Sequence, residues 1–135
     1  GGGIGNALIK KIKAAFQEEV EVIALGTNAI ATAQMMKAGA NRGASGENAI
    51  VMMVPKVDVI IGSISIVLAN SMMGEMTAAM AVAVASSPAV KLLLPLSQEA
   101  VEVIGVSPEP LPHLVDHLVE DRLRSLVESS LKGGE

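Results

Sequence analysis

Five residues at the start of the chain, Gly1, Gly2, Gly3, Ile4 and Gly5, have the types and spacing to handle a phosphate. A glycine cluster running into a helix lets a ligand approach backbone N–H groups, and the helix start adds the positive end of a dipole. A dinucleotide turn needs Gly-x-Gly-x-x-Gly after a strand. With Gly5 as the last glycine, Gly2 is the middle one and the first falls ahead of residue 1. Gly2 would then admit a pyrophosphate, and Gly5 would let helix and strand pack closely. A tight turn that binds nothing is the competing reading.

Two further turns could line the same ligand. Gly26, Thr27 and Asn28 follow the apolar run 20–25, and their N–H groups and the Thr27 hydroxyl could hold a phosphate. Helix capping by Thr27 or Asn28 is the simpler role. An NAD site places an Asp or Glu at this point to hold the ribose. None stands here and no Arg lies beside it, so neither NAD nor NADP has strong support over other nucleotides. Gly62, Ser63 and Ile64 follow the run 57–61, on the carboxyl side of a strand where open α/β sheets bind ligands. Glu75, close to Asn70 and Ser71 in an apolar stretch, could be a base with a raised pKa, but a place at the surface or at a helix start is favoured.

Other candidates carry less. Arg42 opens a polar loop, residues 42–48, and could clamp an anion, with Ser45 capping a short helix. His113 and His117 are four apart on one helical face. They lack the H-E-x-x-H arrangement, and solvent exposure is favoured over a metal pair. No catalytic residue can be named.

The elements that must position these groups follow from periodicity and breakers. Residues 4–18 carry a helical stripe of Ile4, Leu8, Ile12, Ala15 and Phe16, with Lys10, Lys11 and Lys13 turned to water. Strands are expected at 20–25, 57–61, 90–94 and 100–104, and residues 40–46 form a loop with room for one short strand. Helices are expected at 29–38, 46–53, 64–73 and from Thr77 to residue 86. Only residues 95–99 separate the last two strands, too few for a parallel crossover, so these two should form an antiparallel hairpin. Residues 111–127 carry the apolar stripe of a last helix. This order predicts an α/β fold: a doubly wound, mostly parallel sheet in a Rossmann-like three-layer sandwich, with an antiparallel edge hairpin, a long C-terminal helix and its first strand missing ahead of Gly1. Residues 1–135 are read as one domain, with 107–131 as a C-terminal helical extension.

Composition narrows the function classes. The chain has 135 residues, half of them apolar, with a formal net charge of −4, and Phe16 is its sole aromatic. Acidity and the lack of stacking platforms argue against nucleic acid. No uncharged stretch reaches the length of a membrane span. The absence of Cys removes disulfides and thiolate chemistry and fits a cytoplasmic protein. Eight Met in close pairs and the apolar region 64–85 exceed what covering one sheet needs. That surplus predicts a homo-oligomer, a dimer first.

Several stretches resemble a known family: Gly-Gly-Gly-Ile-Gly at 1–5, Ile-Ala-Leu-Gly-Thr-Asn-Ala at 23–29, Gly-Glu-Asn-Ala-Ile-Val at 46–51, Val-Asp-Val-Ile-Ile-Gly at 57–62 and Ala-Asn-Ser-Met-Met-Gly-Glu at 69–75. They are similar to a bacterial family of small Rossmann-like proteins that is a domain of unknown function. The likeness covers most of residues 1–106. It implies the fold described above, with a short strand and an acidic, glycine-containing turn ahead of Gly1, and it implies no activity. A weaker likeness, to methylglyoxal synthase-like domains, rests on Gly26-Thr27 and Val57-Asp58-Val59-Ile60, without a matching catalytic aspartate. The expected function is binding of a nucleotide or another phosphorylated small molecule at the glycine-rich turn. The alternative is a non-catalytic structural or regulatory oligomerisation module.

Overall fold

The computed structural model describes residues 2–133. Helix α1 spans Gly2–Phe16. Of the expected stripe Leu8, Ile12 and Phe16 are buried and Ile4 and Ala15 half-buried, and Ile9, outside that stripe, is buried as well. Lys10 is exposed, while the ammonium groups of Lys11 and Lys13 reach Asp116 at 3.2 Å and Asn41 at 3.1 Å.

Strand β1 (Ile23–Gly26) leads into α2 (Ala29–Lys37) and returns as β2 (Arg42–Ser45). Then come α3 (Glu47–Met53), β3 (Val59–Ser63), α4 (Ala78–Ser86) and β4 (Val90–Leu94). β1 pairs with β2 and β3 with β4, both in parallel. A helix bridges each pair because parallel neighbours cannot be joined by a tight turn. The caps act as sequence predicts in two places. Asn28 accepts from the Ala31 N–H at 2.8 Å, and Thr77 accepts from the Met80 N–H at 3.2 Å.

The sheet corrects the sequence reading. In place of one doubly wound sheet there are two separate two-stranded sheets, ordered β1-β2 and β3-β4. The physical reason is that among the described residues no strand lies between β1 and β3, so each keeps one free edge. The expected antiparallel hairpin is also absent. Residues 100–104 form no strand, and β4 takes its partner, β3, in parallel. Val101, Val103 and Ile104 are exposed at 43%, 40% and 88%, so this run has no face to bury and nothing to select strand geometry. A short apolar run cannot be assigned by pattern alone.

The expected helix 64–73 is replaced by a 3-10 turn, Ile64–Val67, and an irregular loop. Asn70, Met72 and Met73 adopt φ of +66°, +57° and +56°, and Gly74 follows at +91°. The buried Ser71 hydroxyl donates to the Ser65 carbonyl at 2.6 Å, and Ser71 bridges Met76, which closes the loop on itself.

The C-terminal helix is present as α5 (Leu111–Asp116), a π-helical stretch (His117–Leu123) and α6 (Arg124–Gly133). Leu114, Leu118, Val119 and Leu123 bury against Leu8, Ile12 and Phe16 of α1. A second cluster joins Ile50, Val54, Ile60, Met80 and Val84. Among the described residues no helix is long and apolar enough to cross a membrane.

Candidate functional site at the carboxyl ends of the strands

The turn after β1 is built by close packing. A Cβ on Gly26 would lie 2.2 Å from Thr32 Oγ1 and 3.0 Å from the Asn28 carbonyl oxygen, so only glycine lets β1 run this tightly into α2. Thr32 is buried in that corner. Its hydroxyl donates to the Asn28 carbonyl at 3.1 Å and accepts from Ser45 Oγ at 3.0 Å. Ser45 is thereby drawn to α2 and does not cap α3, whose N-cap is Gly46 at φ +95°.

At the head of this turn sits a carboxylate. Thr27 Oγ1 donates to Glu75 Oε1 at 2.7 Å, and Asn28 Nδ2 donates to the same oxygen at 2.9 Å. The hydrogen bond from Thr27, then that from Asn28, holds the Glu75 carboxyl below the usual glutamate range, because both favour the charged form. The base with a raised pKa is therefore not found, and Glu75 lies exposed, as the surface reading of the sequence expected. A second carboxylate ties the neighbouring elements, with Thr77 Oγ1 donating to Glu47 at 2.5 Å. The loop from Asn70 to Gly74 is anchored elsewhere by the Met72 N–H, which donates to Glu99 Oε1 at 3.1 Å.

The other expected residues divide. Gly2, Gly3, Ile4 and Gly5 form the first turn of α1 and not a loop, and Gly1 lies outside the described residues. Gly5 does allow close approach, but to a helix: its Cβ would lie 2.7 Å from Met35 Sδ of α2. Gly62 packs on Ile66, to which a Cβ would come within 3.1 Å, and Ser63 is buried. Ile64 begins the 3-10 turn and is half-buried. Gly5, Leu25, Ile61 and Ile66 line one end of a cavity of about 790 Å³ between the two sheets. In α1, Asn6 Oδ1 is buried with no hydrogen-bond partner among the described residues.

Arg42 is not part of this arrangement. It opens β2 at the amino end and pairs with Glu21 at 2.9 Å on the surface. His117 Nδ1 pairs with the exposed Asp121 at 2.7 Å, and among the described residues no three His, Asp or Glu side chains converge. The role of Glu75 as partner of the β1 turn was not legible. The contact spans 48 positions, and no local pattern marks it.

The family described as Domain of unknown function (DUF3842) matches residues 1–127. The chain belongs to this family. No curated protein and no solved structure matches it.

Proposed function

We propose that this protein binds a phosphorylated small molecule, a nucleotide among the candidates, in the crevice formed by the start of α1, Gly26–Asn28 and Gly62–Ile64. The observation that carries the reading is the seat of Glu75. Thr27 and Asn28 converge on one carboxylate oxygen at the head of α2, and a phosphate oxygen presents the same acceptor to the same donors. In this reading Glu75 stands in for the ligand's anion and leaves when the ligand binds. The dipole of α2 adds to the attraction. The orphaned Asn6 Oδ1 offers an acceptor to a ligand donor near the start of α1. No enzymatic step is assigned.

Thermal-shift titration with NAD, NADP, ATP, FMN and sugar phosphates tests it. A ligand present at a hundred times its Kd stabilises by about 2.7 kcal/mol. The expected outcome is a shift with at least one phosphorylated compound that disappears in Thr27→Val. The absence of a shift with all of them sinks the reading.

A second reading, an oligomerisation module, is favoured by one feature. Met52 of α3 and Val82 of α4 are 52% and 62% exposed on two helices that pack together. Burying this face against a second copy in a C2 dimer would remove it from water. Sedimentation equilibrium of the chain and of Val82→Lys separates the cases. A dimer weakened by the substitution supports the module, and a monomer throughout removes it.

A further inference from the structure

The C-terminal helix changes its winding in the middle. Between α5 and α6 the stretch His117–Leu123 is π-helical, and the Arg124 N–H at its end donates to the Val119 carbonyl, five residues back. Such winding is rare and is frequent at functional sites. Its consequence here is a matter of facing. At about 100° per residue, positions five apart on an α-helix lie about 140° round from each other. The i→i+5 bond of a π-helix brings them onto one face, as positions four apart are neighbours on an α-helix. His117 and Arg122 are five apart, and both border one groove of about 140 Å³ between this stretch and β4.

The groove has an apolar floor and a cationic rim. Leu94, Leu114 and Leu118 are buried in the cluster that packs on α1, with Leu92 half-buried beside them. The Val90 N–H of β4 bonds to the Asp58 carbonyl, so by alternation Leu93, which also borders the groove, turns its N–H away from β3. On the helix side, Asp116 pairs with Lys11 at 3.2 Å, Glu120 with Arg124 at 2.8 Å and Asp121 with His117 at 2.7 Å. Each acidic group of residues 116–123 thus has a basic partner, and among the described residues Arg122 has no acidic one. The bond to Asp121 also holds the His117 ring as a wall of the groove.

We propose that this groove binds a small monocarboxylate with a compact apolar body, of the size of benzoate. The body lies on Leu92, Leu94, Leu114 and Leu118, and Arg122 takes the carboxylate at the rim, with the Leu93 N–H as a further donor. An apolar cavity of about 150 Å³ holds benzene, so the groove suits one ring or one branched chain. One guanidinium matches one planar carboxylate through two parallel hydrogen bonds. A phosphate dianion calls for a second fixed cation, and His117 Nδ1 is already engaged by Asp121. The groove shares no residue with the crevice proposed for a phosphorylated ligand, so the two readings stand or fall separately.

Titration of the full chain with benzoate, followed by NMR, tests this. The expected result is a saturable shift of the Leu93 amide and of the Arg122 Nε–H, with the Thr27 and Asn28 signals unmoved. On the unaltered chain, benzyl alcohol keeps the ring and acetate keeps the charge, and each binds about tenfold or more weakly than benzoate. Arg122→Gln, at an exposed position, weakens benzoate by about tenfold or more. No saturable shift up to about 20 mM benzoate overturns the proposal, since even a modest ligand efficiency gives binding in that range. Equal affinity in Arg122→Gln overturns it too, as does inorganic phosphate shifting Arg122 as readily as benzoate, or a benzoate shift at Thr27 and Asn28 in place of the groove.

Discussion

Thr27 and Glu75 meet at 2.7 Å although 48 positions separate them in the chain. This contact closes the loop after β3 onto the turn after β1, and Asn28 joins it from the same side. With the Thr77–Glu47 contact, it ties the segments that follow the carboxyl ends of the two sheets through a carboxylate. The loop that delivers Glu75 holds Met72 and Met73 at positive φ, a conformation that non-glycine residues adopt at a cost of about 1–3 kcal/mol each.

The latch should respond to acid. The Glu75 carboxyl titrates lower in the folded protein than in the unfolded chain, because Thr27 and Asn28 favour its charged form. Its contribution is therefore fully present above the ordinary glutamate value of about 4.3 and is lost as pH falls through the lower folded value. The side-chain carbon signal of Glu75, followed by NMR, should show a midpoint below about 4.3. A midpoint at or above that value would falsify the latch.

Removing the carboxylate should open the seat to other anions. In Glu75→Ala the Thr27 hydroxyl and Asn28 amide lose their shared acceptor, and a phosphorylated ligand no longer competes with it. Affinity for whichever compound shifts the wild-type protein should rise by about fivefold, the worth of roughly one net hydrogen bond. Calorimetric titration reads it directly. An unchanged Kd leaves the ligand site standing and removes Glu75 as its internal occupant.

Gly26→Ala should destabilise the fold by about 1–3 kcal/mol, the usual cost of forcing an extra group into a packed corner. The added Cβ would meet Thr32 Oγ1 at 2.2 Å, and part of the obstacle is backbone, which cannot rotate away. Urea unfolding should show a lower midpoint with the slope unchanged. Gly3→Ala is the control, since no heavy atom lies within 4 Å of its Cβ position.

Phe16→Ala should cost about 3–5 kcal/mol. Phe16 is 2% exposed at the junction of α1 and the C-terminal helix, and the Arg124 guanidinium lies 4.8 Å from its ring centroid. Denaturant unfolding again gives the number. A loss below about 1 kcal/mol, the cost of an ordinary surface change or little more, would show that the C-terminal helix does not depend on this ring.

Much of the chain was legible because its signals are local. The stripe of Leu8, Ile12 and Phe16 specifies α1, and Asn28 and Thr77 start α2 and α4 through bonds made within one turn. Residues 64–73 and 100–104 misled because apolar content there had no period to obey. Ser71, bonded to the Ser65 carbonyl, closed the first into a loop, and the second lies exposed with no face to bury. Of the site, the Gly26–Asn28 turn was visible and Glu75 was visible only as an oddity. Its partner lies in another element, and nothing in its own neighbourhood names it.

By itself the sequence determined α1 to α4 and the last helix, the stretches in which the strands formed, and the glycine at the end of β1, since periodicity, capping and steric clearance act over a few residues. Only the tertiary structure decided which strands pair, that Glu75 reaches Thr27, and that Ile23 and Val59 line one cavity. Those outcomes depend on contacts between residues distant in the chain. Each such contact forms only when the intervening elements have packed and the entropy of closing the loop between them has been offset.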